Sequence, residues 1–352
     1  MKVVYLSPSY FDATSIIGGG ERYAYELAKA MSLHCDTEFI CFGKINASER
    51  DGNLRRRILK PLLAASSPFG PVSLSYLRHL GSSDVIHSFH CRLFMTDAAI
   101  MMSRLLGKKV FVTDLGGGAK YAISHHIDLL ALAHSMLCIS SFGESAFRAY
   151  NTHVIGAGVD PQRFSEANIP REKKVLFVGR LLPYKGIHTL IDAVDEWMPL
   201  TIVGRAYDRA YYDNLVRQSA GKQVTFLTDA DDEELLREYQ TSLVTVLTTK
   251  ADRWAQLSAL TLLESMACAT PVIGTRVDAV PEIIDDGITG YLVPPEDPRA
   301  LRDTIRWFFE HPEEAREMGK RGREKVLAQF TWDAVAKRCL EIYQNGKHQN
   351  GG

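Results

Sequence analysis

Among the residues able to do chemistry, one acid stands apart. Glu264 lies in the apolar run Leu262-Leu263-Glu264-Ser265-Met266-Ala267, where an ionised carboxylate needs a partner from the fold or from a ligand. Two cations follow another pattern. Val175-Leu-Phe-Val-Gly179-Arg180 reads as a strand entering a loop, and Lys185-Gly186 ends that loop before the next helix. An arginine as bidentate donor and a lysine as point charge suit a diphosphate there, and the same pair also reads as two surface charges on a loop. In Asp84-Val-Ile-His87-Ser-Phe-His90 two histidines stand at the carboxyl end of a strand, where open α/β sheets bind ligands. Hydrogen bonding in an acceptor cleft and a plain structural role both fit them, and no further ligands stand near for a paired metal site. Asp114, at the end of Phe111-Val-Thr, offers a polar contact or caps a turn. Asp229-Ala-Asp231 could be taken for an Asp-x-Asp metal motif but fits better as acids capping a helix, so no catalytic metal is expected.

The elements that must hold these residues alternate between strand and helix, the pattern of α/β proteins. A buried strand from Lys2 runs into a loop ending in Gly18-Gly19-Gly20, and a helix over 21–31 follows with Leu27, Tyr25 and Ala28 on its buried side. Strand, glycine loop, helix is how a doubly wound sheet offers backbone N–H groups to an anion, and glycines there also serve close packing. Further strands are expected over 37–42, 84–88, 109–113 and 135–139. Gly156 and Gly158 mark a joint, with the boundary near Phe164. Beyond it, strands are expected over 175–178, 200–203 (leading to Gly204) and 224–228 (ending at Thr228). Leu260, Leu263, Met266 and Ala267 stripe the helix that carries Glu264, and Pro271 stops it. Trp332, Val335, Cys339 and Ile342 stripe a final helix. One segment breaks the alternation: Arg55-Arg56-Arg57 and Lys60 among Leu54, Ile58, Leu59 and Leu62. It forms a short basic amphipathic piece compatible with an anionic membrane or a lipid-linked acceptor, or a normal solvated surface.

The length of 352 residues implies about two domains on a prior of ~150 each. With 46% hydrophobic and 24% charged residues the chain reads as an ordinary globular enzyme, and a net charge of −1 gives no global argument for nucleic acid or membrane partners. The six cysteines have no metal spacing and read as small buried hydrophobes of a reducing compartment. No signal peptide or spanning run is visible, so a soluble, cytoplasmic protein is expected, with membrane contact at most peripheral.

The run Gln256-Leu-Ser-Ala-Leu-Thr-Leu-Leu-Glu264-Ser-Met-Ala-Cys-Ala-Thr-Pro-Val resembles the signature of glycosyltransferase family 4, the retaining nucleotide-sugar transferases of the GT-B fold. Gly179-Arg180 through Lys185-Gly186 is similar to the family's Gly-Arg-x4-Lys-Gly motif, and 154–164 is similar to its linker. The resemblance covers nearly the whole chain, weakly before Val154 and strongly from there to Pro295. It implies two Rossmann-like domains facing each other across a cleft. Residues 1–160 would be the acceptor side, 165–330 would bind the nucleotide sugar, and 331–346 would be a helix crossing back to the first domain.

It also implies roles. Arg180 and Lys185 would hold the diphosphate, and Glu264 would accept from the two ribose hydroxyls. Gly19 and Gly20 would lie beside the donor's diphosphate and sugar. The helix entered through Ser258, Ala259 and Leu260 would add N–H donors, and Gly179, Gly204 and Thr228 would line the nucleotide. The family's first acid, which meets the donor sugar, is Gln256 here; its uncharged amide both accepts and donates. Residues 256 and 264 are eight apart, about 80° off a common helical face, which puts Gln256 in the preceding loop. The family's sugar-contacting histidine is Leu115, beside Asp114.

The resemblance therefore implies a retaining transferase, with no cofactor beyond a nucleoside-diphosphate sugar. It would act on a sugar, lipid-linked or small-molecule acceptor hydroxyl, and uridine is preferred on family frequency. A nucleotide-sugar epimerase or hydrolase of the same fold, and a non-catalytic nucleotide-binding partner subunit, are the alternatives. Turnover without acceptor would mark the former, and tight nucleotide binding without turnover the latter.

Overall fold

The computed structural model describes residues 1–10, 19–63, 71–116, 126–251 and 259–345, and every structural statement concerns these. The chain divides into two compact units, Met1–Gly158 together with Trp332–Gly352, and Val159–Thr331.

The first unit holds eight strands: β1 (Lys2–Tyr10), β2 (Asp36–Phe42), β3 (Ala47–Asp51), β4 (Leu54–Leu59), β5 (Val85–Phe89), β6 (Lys109–Thr113), β7 (Ser135–Cys138) and β8 (Thr152–Val154). Their order is β3-β4-β2-β1-β5-β6-β7-β8, parallel except for β3 against β4. The inner strands are buried on both faces, which is why they read as unbroken apolar runs. Val4, Leu6, Ile86, Val110 and Val112 face a layer made of Leu77–Leu80, Phe94–Leu106 and the 3₁₀ turn Leu129–Leu132. On the opposite face Tyr5 and Phe89 meet Tyr23 of the helix Gly19–Met31 and Tyr343 of the helix Trp332–Asn345. Tyr343, rather than Ile342, is the buried residue near the end of that last helix. Tyr25, expected on the buried side of 21–31, is only half-buried and donates to Asp51.

The basic segment is corrected by β4. Arg55, Arg56 and Arg57 lie in a strand hydrogen-bonded between β2 and β3, not on a free docking piece. Arg57 Nε donates to the buried Glu38 carboxylate at 2.5 Å, Arg56 pairs with Glu49 and lies over the Tyr25 ring, and the Lys60 N–H is taken by Asn46. A buried carboxylate requires such a partner, and this need spends the charge inside the fold.

The second unit holds β9 (Val175–Val178), β10 (Leu200–Val203), β11 (Val224–Leu227), β12 (Val244–Leu247), β13 (Val272–Thr275) and β14 (Gly290–Val293), all parallel, in the order β11-β10-β9-β12-β13-β14. The chain enters at β9, steps outward to β11, then returns to β12 on the other side of β9. The strand order therefore reverses between β9 and β12, and the crevice outside their carboxyl ends is where doubly wound sheets take ligands. In the first unit the corresponding reversal lies between β1 and β5.

Candidate functional site

At the reversal point of the second unit, β9 ends in Gly179-Arg180 and β12 ends in Thr248-Thr249-Lys250. The loop after β9 contains a 3₁₀ turn, Pro183–Lys185, whose Pro183 opens it and whose Gly186 closes it in the left-handed region. Gly186 has φ +66°, and a Cβ there would lie 2.0 Å from the Thr248 carbonyl oxygen, so no other residue fits without moving β12. The loop is pinned further by Thr248 Oγ1 donating to the Lys185 carbonyl and Lys250 N–H donating to the Tyr184 carbonyl, both at 2.9 Å. Gly204, after β10, has φ +155°, and a Cβ there would sit 1.8 Å from the Gly179 oxygen.

Both cations are gathered on this loop. Arg180 is exposed, with Nη2 donating to the Tyr184 hydroxyl at 2.9 Å, and Lys185 Nζ lies 5.2 Å from the centre of the same ring. Burial lowers the Lys185 pKa to about 8; the Arg180 charge pushes the same way and the Asp278 carboxylate opposes both. The two like charges on this loop repel each other, the Asp278 carboxylate moderates that repulsion, and a bound anion would relieve it.

Glu264 lies on the helix Leu260–Ala267 and is only 4% exposed; its Oε2 accepts from the Tyr239 hydroxyl at 2.8 Å. Tyr239 comes from the helix Asp232–Thr241, and its own carbonyl accepts from Thr270 Oγ1. Arg171 ties the two helices together by donating to the Cys268, Ala269, Gln240 and Ser242 carbonyls. Ala259 is buried just before the Glu264 helix and Leu260 opens it. Gln256 and Ser258 lie outside the described residues. At the ends of β10 and β11 a pocket of about 270 Å³ is lined by Arg205, Ala206, Arg209, Tyr212, Thr228 and Asp229. Asp231 accepts from the Glu233 and Glu234 N–H groups and so caps a helix.

In the first unit the two histidines part company. His87 is fully buried: Nδ1 is 2.5 Å from the Tyr343 hydroxyl and Nε2 is 2.7 Å from Thr113 Oγ1, and burial lowers its pKa to about 3. It is a neutral core residue joining β5 to the helix Trp332–Asn345, which corrects its assignment to an acceptor pocket. His90 lies beyond the strand end with φ +64°, and its Nδ1 bonds the Gly116 carbonyl at 2.9 Å. A Cβ built on Gly20 would meet Leu115 Cβ at 3.5 Å and His90 Cε1 at 3.9 Å, so the start of the helix Gly19–Met31, Leu115 and His90 share one corner. Asp114 Oδ1 accepts from the Cys91 N–H at 3.3 Å and holds that corner's backbone. Sequence reasoning missed Tyr184 and Tyr239. Tyr184 stands four residues after Arg180, whereas nothing in sequence links Tyr239 to Glu264.

Residues 159–325 match the family described as glycosyl transferases group 1. The alpha-maltose-1-phosphate synthase of Mycolicibacterium smegmatis is 25% identical over 98% of this chain and 99% of that protein. The D-rhamnosyltransferase WbpZ of Pseudomonas aeruginosa is 34% identical over 44% of this chain and 41% of its own length. Among solved structures, Anabaena Alr3699/HepE in complex with UDP superposes with a TM-score of 0.77, covering 98% of this chain and 100% of that one at 16% identity, a likeness of fold. The second unit, Val159–Thr331, is thus similar in sequence to glycosyl transferases group 1, in a chain of the GT-B fold.

Proposed function

We propose that the chain transfers a sugar from a nucleoside-diphosphate sugar to an acceptor hydroxyl with retention at the anomeric carbon, in the synthesis of a glycolipid, polysaccharide or glycosylated metabolite. The observation that carries this reading is the placement of Arg180 and Lys185 on one pinned loop at the strand-order reversal, next to the close-packed Gly179 and Gly204. As the bond from the anomeric carbon to the diphosphate oxygen breaks, negative charge grows on the leaving group. Fixed cations stabilise that charge without reorganising, so these two perform the task without a metal. The acceptor oxygen bonds to the same face of the sugar, and its proton passes to a departing phosphate oxygen. Glu264, oriented by Tyr239, accepts from the ribose hydroxyls. His90 and Asp114 serve the sugar or acceptor. We take UDP as the nucleotide, the one named for the Anabaena HepE complex.

A thermal-shift screen with UDP, GDP, ADP and dTDP tests the reading, since a ligand that binds only the folded state raises its apparent stability. One nucleotide is expected to shift the transition, with the shift lost in Arg180→Ala and reduced in Glu264→Ala. Absence of any shift would refute the reading. Release of free sugar without acceptor would move it to a hydrolase, and binding without turnover to a partner subunit.

A further inference from the structure

We infer that the hydroxyl of Thr249 donates a hydrogen bond to an oxygen of the nucleoside diphosphate, as an uncharged donor beside Arg180 and Lys185. This deepens the reading of their loop as the diphosphate site and rests on it. Thr249 stands just beyond β12 and is fully buried, and its Oγ1 has no hydrogen-bond partner among the described residues. The hydroxyls around it are all engaged. Thr245 Oγ1 accepts from Ser265 Oγ at 2.8 Å, Thr248 Oγ1 donates to the Lys185 carbonyl at 2.9 Å, and Thr275 Oγ1 donates to the Thr249 carbonyl at 2.6 Å. A buried hydroxyl without an acceptor opposes folding, so its presence calls for a reason outside the ligand-free fold.

The backbone sets where that hydroxyl points. The Thr248 carbonyl and the Lys250 N–H face the loop after β9, at Gly186 and Tyr184, whereas the Thr249 carbonyl faces Thr275 of β13. That alternation is the strand pattern carried past the end of β12, so the side chains of 245, 247 and 249 share one face. The bond between Thr245 and Ser265 identifies it as the face covered by the helix Leu260–Ala267. Because β12 and β13 are parallel, the helix between them runs back antiparallel to both. From Thr245 to Thr249 the strand advances about 13 Å, at ~3.3 Å per residue. From Ser265 back to Leu260 the helix takes only about 7.5 Å, at ~1.5 Å per residue. Thr249 therefore lies level with the start of that helix or just beyond it. Ala259 gives the helix no side-chain cap, so its first N–H groups and positive end are directed to the same place. The backbone that carries Lys185 is bonded to this strand end as well. Hydroxyl, helix start and cations thus converge, and a phosphate oxygen suits all three: it accepts from O–H and N–H, and its charge answers Arg180 and Lys185. A water molecule would serve the hydroxyl but not the charges.

The test is titration calorimetry of the full chain with UDP. Thr249→Val replaces the hydroxyl by a methyl of the same shape and should lower UDP affinity by at least about tenfold, the scale of one hydrogen bond to a charged group. Thr249→Ser keeps the hydroxyl and should stay within about threefold of wild type. The ratio of UDP to 2′-deoxy-UDP affinity, which reads the ribose contact of Glu264, should be the same in all three proteins. A ratio that moves in Thr249→Val would place the hydroxyl on the ribose and overturn the inference. The ligand-free melt of Thr249→Val should equal or exceed that of wild type, because no bond within the fold is lost; a lower melt would show the hydroxyl engaged in the fold and overturn the inference. UDP affinity unchanged in Thr249→Val would overturn it too, leaving the hydroxyl to an internal water. A wild-type chain that binds no UDP is a separate result: it refutes the reading of the loop itself, and the inference falls with it.

Discussion

Acidification should loosen the helix Trp332–Asn345 from the first unit through one residue, His87. Its imidazole is enclosed by Tyr343, Thr113, Phe89 and Tyr5, and its pKa in the folded state is lowered to about 3 by burial. Unfolded, it titrates near the ordinary value of about 6.5. The sign follows from proton counts: the unfolded chain binds a proton below about pH 6.5 that the folded chain refuses until about pH 3. Stability from this residue is therefore complete at neutral pH and is lost as pH falls across that window. Between pH 7 and pH 5 the loss is about 2 kcal/mol, from 1.36 kcal/mol per pH unit below about 6.5.

Hydrogen exchange over 332–345 at the two pH values reads the effect directly, because a two-unit chain has no single unfolding free energy. His87→Gln lacks the titration. It should be weaker at pH 7, by about 1–3 kcal/mol for disturbed buried hydrogen bonds, yet lose about 2 kcal/mol less than wild type on going to pH 5. The other histidines are common to both proteins and cancel. Equal losses in the two proteins would refute the reasoning.

Lys185 gives a second, opposite dependence: with its pKa lowered to about 8, raising the pH through that value removes the cation. UDP affinity measured by calorimetry should fall by up to about tenfold per pH unit above about 8, and Lys185→Arg should flatten the profile. Gly186→Ala should destabilise the second unit by about 2 kcal/mol or more in chemical denaturation, since the left-handed backbone and the Thr248 carbonyl both oppose a Cβ. Tyr239→Phe should bring the affinity ratio of UDP to 2′-deoxy-UDP close to one in competition binding, because Glu264 loses the phenol that orients it; an unchanged ratio would place ribose recognition elsewhere.

What the sequence revealed and what it hid have physical causes. The inner strands of both sheets were legible because a strand covered on both faces must be apolar throughout, as in Val175–Val178 and Val244–Leu247. Arg180 and Lys185 were legible because strand end, glycine and cation occur together over a few residues. The edge was not. β4 carries three consecutive arginines whose reason for being in a strand is Glu38 on the neighbouring one, a partner 19 residues away from Arg57. His87 and His90 looked equivalent by spacing, and only Tyr343, 256 residues beyond His87, separates a core histidine from an accessible one. Tyr239 escaped for the same reason, since its contact with Glu264 depends on the packing of two helices. Contacts between distant segments of chain leave no local period to read.

The division of the chain has a consequence for how the protein is made. The second unit, Val159–Thr331, is one continuous stretch whose two ends are joined by a hydrogen bond from Val159 N–H to the Phe330 carbonyl and a bridge between Val159 and Thr331. It can close as soon as Thr331 has left the ribosome. The first unit, although eight of its strands are synthesised earlier, must wait for Trp332–Asn345 to satisfy the phenol and imidazole groups of Tyr5 and His87. Synthesis order and completion order are thus inverted. The nascent first sheet spends the whole translation of the second unit with one apolar face short of a helix, and this interval is when a holding chaperone or premature aggregation would compete for it.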